Sequence, residues 1–171
     1  MHYVLCYPKL EAADLARIEA FRRAHEPARA KLVPAHITLV FGVASISAEA
    51  LAGRVTAVVR DSAPFAFAFD GMEVSAHEGG DHNLFLRVGE GKDRLSALHE
   101  ALYEGLERGR EIEFTPHMTI ATNAELKPIF TCAVEAKPLT AITGRIESLD
   151  VATLSGDTLY KVASCPLVGS D

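Results

Sequence analysis

The order of predicted elements repeats along the 171-residue chain with an offset of about 81 positions. Three pairs of positions share this offset: predicted strands that begin near residues 2 and 83, predicted helices that begin near residues 11 and 92, and His36 with His117. The two halves share few residues, so the repeat is one of pattern, and a mixed chain can show some match by accident. Taken as real, the repeat predicts two equivalent lobes, related by a pseudo-twofold axis and separated by a cleft.

The hydrophobic pattern predicts interleaved strands and helices. Predicted strands cover 2–7, 36–42, 64–74, 83–88 and 117–121, and predicted helices cover 11–27, 47–60 with Ser47 as the N-cap, 92–109 with Gly109 near its end, and 124–136 with an interruption at Pro128. A turn-rich break lies at 76–83, and a closing hairpin runs from 141 to 167 with its turn at 155–157. We therefore predict an α+β fold with two mostly antiparallel sheets facing a central cleft, helices outside, and both lobes in one domain over residues 1–171.

Two predicted strands each carry a His and a Thr two positions apart: His36 with Thr38, and His117 with Thr119. Successive side chains of a strand point to opposite faces, so the His and the Thr of each pair share one face. The apolar residues of these strands are predicted to point into a core: Ile37, Leu39 and Phe41 in the first, and Met118 and Ile120 in the second. One such pair alone is better explained as a half-buried, hydrogen-bonded His. Two pairs in the register of the repeat favour a function.

Two imidazoles and two hydroxyl groups around one point suit the cleavage of a phosphodiester. An imidazole with a pKa of about 6.5 can take a proton from water or give one to a leaving oxygen near neutral pH. Thr hydroxyls can donate hydrogen bonds to the non-bridging phosphate oxygens, whose negative charge needs preorganised donors. Without a nearby carboxylate, the four groups make a poor site for a divalent metal. The residues therefore predict chemistry without a metal or another cofactor.

The stretches "HITL" and "HMTI", about 80 positions apart in a chain of this length, resemble the motifs of the two-histidine (2H) phosphoesterase superfamily. Within it, the chain is similar to the 2′-5′ RNA ligase-like and cyclic phosphodiesterase-like proteins, and the terminal "LYKVASCPL" adds a weaker likeness. The resemblance implies a bilobal fold and hydrolysis of 2′,3′-cyclic phosphates or related cyclic phosphodiesters, and for some members the joining of RNA ends through a 2′-5′ bond. It also implies that His36 and His117 are the general base and acid, in an order left open, and that Thr38 and Thr119 bind phosphate oxygens.

The charge of the chain restricts its partners. Lys and Arg total 17 against 23 Asp and Glu, so the formal net charge is -6, which argues against a protein that holds long nucleic acid by phosphate neutralisation. We expect a small nucleotide or an RNA terminus with a cyclic phosphate as the partner. The basic stretch 22–31 is better explained as a solvated helix end than as a contact to substrate phosphate.

The remaining features predict a cytoplasmic protein, and we expect a monomer although no feature of the sequence sets the oligomeric state. Cys6, Cys132 and Cys165 are scattered and odd in number, which is typical of small buried residues in a reducing compartment. The first 20 residues fit neither a signal peptide nor a membrane span. Phe65, Phe67 and Phe69 are predicted to lie in the core rather than to stack on nucleobases.

Two alternative functions stay open at the level of sequence. One is a protein that binds a nucleotide or an RNA end without turning it over. The other is metal-dependent hydrolysis, for which His77, Asp81 and His82 in the Gly-rich break are the candidate ligands, although nothing in the sequence fixes that loop. Four further residues could line the cleft, but spacing alone does not single them out: Tyr7, Phe41, Arg87 and Tyr160.

Overall fold

A computed structural model of the protein describes residues 1–76, 79–106 and 114–170. Its strands are β1 His2–Cys6, β2 Lys9–Leu10, β3 Ile37–Val43, β4 Phe65–Ala76, β5 His82–Val88, β6 His117–Asn123, β7 Thr143–Ile146, β8 Ser148–Ser155 and β9 Thr158–Pro166. Its helices are α1 Ala12–His25, α2 Pro27–Leu32, α3 Ala48–Val59, α4 Lys92–Tyr103 and α5 Leu126–Ala136, followed by a 3-10 helix, Lys137–Ala141. His77 and Gly109 lie outside the described residues.

The strands form two antiparallel sheets, as the sequence predicts. The four-stranded sheet has the order β3-β1-β8-β9, and the five-stranded sheet has the order β2-β7-β4-β5-β6. β3 pairs with β1 as β6 pairs with β5, and β3 and β6 are edge strands that contact each other where the two sheets meet. The predicted pseudo-twofold repeat is therefore present. It brings β3, which directly follows His36, next to β6, which begins with His117.

Each site strand contains a β-bulge at the same place in the repeat. Between β1 and β3, Leu5 pairs with Thr38 and Val4 with Val40, so Leu39 is the extra residue. Between β5 and β6, Phe85 pairs with Thr119 and Leu84 with Ala121, so Ile120 is the extra residue. A bulge resets the alternation of side chains beyond it.

The bulge in β3 overturns the prediction that Phe41 points into the core. Leu39 and Val40 are both fully buried, whereas Phe41 is 47% exposed. Because the bulge adds one residue after Thr38, the alternation shifts by one residue, so that Val40 is buried and Phe41 points outward. A second register shift lies between Val40 and Val43 and returns Val43 to the buried face. Met118 and Ile120 in β6 and Ile37 and Leu39 in β3 are buried as predicted.

The helices cross between the lobes. α1 packs against β6, and α4 packs against β3, so each helix supports the site strand of the other lobe. α3 packs against β8 and β9, and α5 packs against β5 and β6. None of the helices in the described part of the chain has the length and apolar character that a membrane span requires.

Several local predictions are confirmed. The Ser47 side chain accepts a hydrogen bond from the Ala50 amide at 3.2 Å, which is an N-cap contact. Phe65, Phe67 and Phe69 are buried in the core. The three cysteines are buried free thiols, and Gly156 lies in the closing turn with a φ of 58°, which favours glycine.

Two further local predictions are wrong. Pro128 does not interrupt α5, because it is the third residue of the helix, where a backbone N–H has no intrahelical partner to lose. The stretch 22–31 is not simply a solvated helix end, because Arg22 is only 2% exposed. It makes ion pairs with Glu19 and Glu26 from inside the fold.

Candidate active site

The four predicted site residues lie on the two adjoining edge strands. His36 immediately precedes β3 and Thr38 lies within it, while His117 begins β6 and Thr119 follows two residues later. All four side chains are partly exposed, and the residues between and after them are buried. His117 is close enough for its charge to lower the pKa of His36. The fold therefore brings the two pairs to one site between the sheets.

Both imidazoles make the same backbone contact. His36 Nδ1 lies 2.7 Å from the carbonyl oxygen of Pro34, and His117 Nδ1 lies 2.7 Å from the carbonyl oxygen of Thr115. A carbonyl oxygen only accepts, so each Nδ1 must carry the hydrogen. The lone pair of each neutral ring is consequently on Nε2, on the side of the ring away from that carbonyl.

Burial lowers the pKa of both histidines. For His36 the pKa falls to about 4, chiefly because burial penalises the charged ring; the cations of Arg22 and Arg29 act in the same direction, and the hydrogen bond to Pro34 opposes them. For His117 burial is again the main cause of the lowered pKa. The hydrogen bond to Thr115 and the carboxylate of Glu73 act in the opposite direction but do not outweigh it. His36 is therefore neutral at physiological pH. Of the two rings, only His117 has a carboxylate, that of Glu73, among the described groups that favour its protonated form.

An aromatic ring accompanies each histidine. The Phe85 ring stacks on His117 with a centroid distance of 3.8 Å and an interplanar angle of 24°. The Tyr7 ring is tilted by 59° against His36 at a centroid distance of 6.1 Å. Burial, with the carboxylate of Asp150, raises the pKa of Tyr7 to about 12, so its phenol stays protonated.

The four further residues that could line the cleft differ in where they lie relative to the site histidines. Tyr7 lies beside His36, and Arg87 is the cross-strand neighbour of His117. Arg87 Nη2 lies 3.5 Å from Asp70 in a solvent-accessible ion pair. Phe41 and Tyr160 are about half exposed, and no described ring contact joins either of them to the site histidines.

Sequence reasoning missed Phe85 as a neighbour of the site, although the signal was present. In β5, Leu84, Leu86 and Val88 are buried, so Phe85 alternates onto the other face. It also missed Glu19 and His99, which contact the backbone next to the site pairs. No local pattern marks these two, because their partners are distant in sequence.

The described residues offer no obvious place for a metal. Across 1–76, 79–106 and 114–170, no three His, Cys, Asp or Glu side chains converge to hold an ion. His77, one of the alternative ligands, is outside these ranges. A cavity of about 500 Å³ lies apart from the site, between Phe65, residues 89–91 and the start of α4, and none of the four site residues lines it.

Comparison with known sequences decides the family. A sequence model of the 2′-5′ RNA ligase superfamily matches residues 8–158, which is most of the chain. The chain belongs to this superfamily. The match spans both His-x-Thr pairs and the strands β3 and β6 that hold them. No curated protein sequence matches the chain.

Solved structures share the fold of this superfamily member. TT0787 from Thermus thermophilus superposes with a TM-score of 0.65 at 18% identity, covering 100% of both chains. Usb1 from Kluyveromyces marxianus gives 0.62 at 12% identity over 97% of both chains. LigT from Escherichia coli in its apo form gives 0.60 at 17% identity, over 97% of this chain and 96% of that one. The predicted bilobal 2H phosphoesterase fold is therefore confirmed.

Proposed function

We propose that the protein is a metal-independent phosphodiesterase that hydrolyses a 2′,3′-cyclic phosphate or a related cyclic phosphodiester, on a small nucleotide or an RNA terminus. The observation that carries this proposal is the matched placement of His36 and His117 on adjoining strands, each with Nδ1 on a backbone carbonyl at 2.7 Å. Two imidazoles with equivalent tautomers, one on each side of a cleft, suit an in-line displacement at phosphorus.

In the proposed reaction one histidine acts as base and the other as acid. The base Nε2 takes a proton from water as the water oxygen bonds to phosphorus. The bond from phosphorus to one ring oxygen breaks, and the acid donates its proton to that ribose oxygen. A phosphomonoester and a free hydroxyl result. In ligation a ribose hydroxyl of a second RNA end takes the place of water. The base removes the proton of that hydroxyl as its oxygen bonds to phosphorus, the bond from phosphorus to one ring oxygen breaks, and the acid protonates that ring oxygen, which leaves a phosphodiester and a free hydroxyl.

The pKa directions favour His36 as the base and His117 as the acid. A base must be unprotonated at the start, and His36 has a pKa of about 4. An acid must hold a proton, and the Glu73 carboxylate favours the protonated form of His117. A bound phosphate anion opposes the effect of burial and raises the pKa of both rings, so substrate binding itself promotes protonation of the acid.

Thr38 and Thr119 are proposed to donate hydrogen bonds to the non-bridging phosphate oxygens. Each shares a face with its histidine and lies just before a bulge, which fixes the local direction of the strand. Because donors are already in place, little reorganisation is needed as charge develops on the phosphate.

The comparisons support a nucleotide as the ligand class. One structure of K. marxianus Usb1 contains uridine monophosphate. One structure of E. coli LigT, with a TM-score of 0.58 to this chain, contains 3′-AMP. A monomeric state and a cytoplasmic location stay predictions.

A product screen tests the proposed function. The purified protein is incubated in EDTA with the four nucleoside 2′,3′-cyclic phosphates and with oligoribonucleotides that end in a 2′,3′-cyclic phosphate. We expect turnover that EDTA does not reduce, and loss of the rate by about 10³-fold or more in His36→Ala and in His117→Ala. Circular dichroism checks that both variants are folded. A wild-type rate in either folded variant would refute the two-histidine mechanism.

A second candidate function is binding of a nucleotide or an RNA end without turnover. It is favoured by one observation, that burial lowers the pKa of both histidines and so depletes the protonated acid at neutral pH. Calorimetric titration with a 2′,3′-cyclic nucleotide separates the two functions. Saturable binding with no product after hours would support the binding protein and exclude the phosphodiesterase.

A further inference from the structure

Arg22 is a buried cation that contacts the backbone just ahead of His36. Its side chain is 2% exposed. Nε lies 2.5 Å from Glu26 Oε1, and Nη1 donates to the carbonyl oxygen of Val33 at 3.0 Å. A buried guanidinium is costly unless it is paired and hydrogen-bonded, so the geometry of this side chain is narrowly defined.

Glu19 completes the contact from the previous turn of α1. Its Oε2 pairs with Arg22 Nη1 at 3.4 Å, and its Oε1 accepts a hydrogen bond from the Ala35 amide at 2.6 Å. Val33 and Ala35 flank Pro34, whose carbonyl oxygen accepts from His36 Nδ1. Two side chains of α1 therefore bind both ends of residues 33–35. This segment is the approach to β3, and it orients the His36 ring.

α1 also connects this approach to the other site strand. The helix packs against β6, which begins with His117. A single rigid helix thus contacts the approach to one histidine and the strand of the other. Since an in-line displacement needs both rings at a fixed separation, the helix is well placed to set that separation.

We propose that Glu19 and Arg22 are positioning residues for His36, which hold residues 33–35 so that the ring keeps Nδ1 on the Pro34 carbonyl and Nε2 toward the cleft. The inference rests on the proposed function of His36 as an acid–base group. It assigns a role to two residues that do not touch the proposed substrate. It also explains why the stretch 22–31 begins with a buried cation.

Four groups act on the charge of His36 or lie against its ring from different elements. Arg22 comes from α1, Arg29 from α2 and His117 from β6, and each disfavours the protonated ring. The Tyr7 ring follows β1 and stays neutral. Removing the Arg22 cation raises the pKa of His36, whereas a substitution that keeps the charge changes mainly the geometry.

The test compares substitutions at neighbouring positions. Arg22→Lys keeps the charge but replaces the planar fork with one ammonium, which cannot reproduce the contacts to both Glu26 and Val33. Arg23→Lys is the matched control, because Arg23 is the next residue and is exposed. Glu19→Leu removes the acceptor for the Ala35 amide, and Glu19→Gln keeps an acceptor oxygen. Each variant is examined by kinetics on a 2′,3′-cyclic nucleotide and by ¹⁵N NMR of the His36 imidazole.

We expect Arg22→Lys and Glu19→Leu to lower kcat by about 10-fold or more, while KM stays within about threefold of the parent value. Such a change indicates that the orientation of His36 is lost and that substrate binding is kept. The same variants should populate the other His36 tautomer in the NMR spectrum, while Glu19→Gln restores most of the rate. Arg23→Lys should match the parent in both measurements.

Two results would overturn the proposal. The first is an unchanged His36 imidazole spectrum in folded Arg22→Lys and Glu19→Leu. The second is a raised KM with an unchanged kcat, which would make these residues part of substrate binding. The NMR measurement needs no substrate. If the parent turns over no cyclic phosphodiester, the function proposed above fails, and the spectrum alone still decides whether Glu19 and Arg22 hold the ring.

Discussion

The two site histidines are oriented by backbone carbonyls. A carbonyl fixes the tautomer, as a carboxylate does in a catalytic triad, but it stabilises an imidazolium less because it carries no net charge. At His36 the hydrogen bond to Pro34 raises the pKa, yet burial and the nearby cations outweigh it and the pKa is about 4. The ring is thereby kept neutral, as the proposed base must be, and in the proposed reaction the negative charge of the phosphodiester supplies the stabilisation that a carboxylate would give.

Loss of either Thr hydroxyl should slow the reaction. Thr38→Val and Thr119→Val keep the shape of the side chain but remove the proposed donor to a phosphate oxygen, so we expect kcat/KM to fall about 10- to 100-fold on a 2′,3′-cyclic nucleotide. Thr38→Ser and Thr119→Ser keep the hydroxyl and should retain most of the rate. If Val and Ser variants are equally active, the hydroxyl groups do not act on the phosphate.

At the scale of elements, periodicity alone identified the site strands but not their bulges. Alternation places His36 beside Thr38 and His117 beside Thr119 on one face, and the structure has these side chains partly exposed over a buried face. The alternation fails beyond Leu39, where Phe41 turns outward. A bulge depends on how a strand pairs with its neighbour, and the sequence of the strand itself does not contain that register.

The bulge in β3 is supported from α4. His99 Nδ1 donates to the carbonyl oxygen of Leu39, the extra residue, at 2.7 Å, and the His99 ring stacks on Phe114 at 3.9 Å with an interplanar angle of 2°. Phe114 lies three residues ahead of His117. One buried side chain therefore contacts the bulge of one site strand and the approach to the other.

The hydrogen bond from His99 to the bulge should contribute to stability. His99→Leu leaves the Leu39 carbonyl without this donor at a buried position, so we expect the free energy of unfolding to fall by about 1–3 kcal/mol. His99→Asn is no larger than the Leu variant and keeps a donor close to the place of Nδ1. Urea denaturation should find the Asn variant more stable than the Leu variant, and the reverse order would show that this bond adds nothing.

At the scale of the whole molecule, the repeat of pattern was visible in the sequence because each half has the same order of apolar strands and helices, with an offset of about 81 positions. The exchange of helices between lobes was not visible. α1 packs on β6 and α4 on β3, and such contacts join residues that are far apart along the chain. The same limit applies to Arg22, which reads as one cation in a basic stretch until the fold buries it beside Glu26 and Val33.

The site also links the stability of the fold to pH. Burial lowers the pKa of His36 and His117 in the folded protein, whereas the unfolded chain keeps values near 6.5. As pH falls below about 6.5 the unfolded state binds more protons than the folded state, so stability is lost down to the folded pKa, with a limiting slope of about 1.4 kcal/mol per pH unit for each ring. Burial raises the pKa of Glu26. As pH rises above the ordinary value of 4.5, the folded state therefore holds this proton longer than the unfolded state, and the contribution of Glu26 to stability falls.

Melting curves at several pH values test this linkage. We expect the melting temperature of the parent to fall more between pH 7 and pH 5 than that of the double variant His36→Asn, His117→Asn, in which Asn can still donate to the Pro34 and Thr115 carbonyls but does not titrate. Glu26 is present in both proteins, so its contribution cancels in the comparison. Parallel curves for the two proteins would mean that neither ring has a lowered pKa in the fold, and would remove the basis for treating His36 as a neutral base.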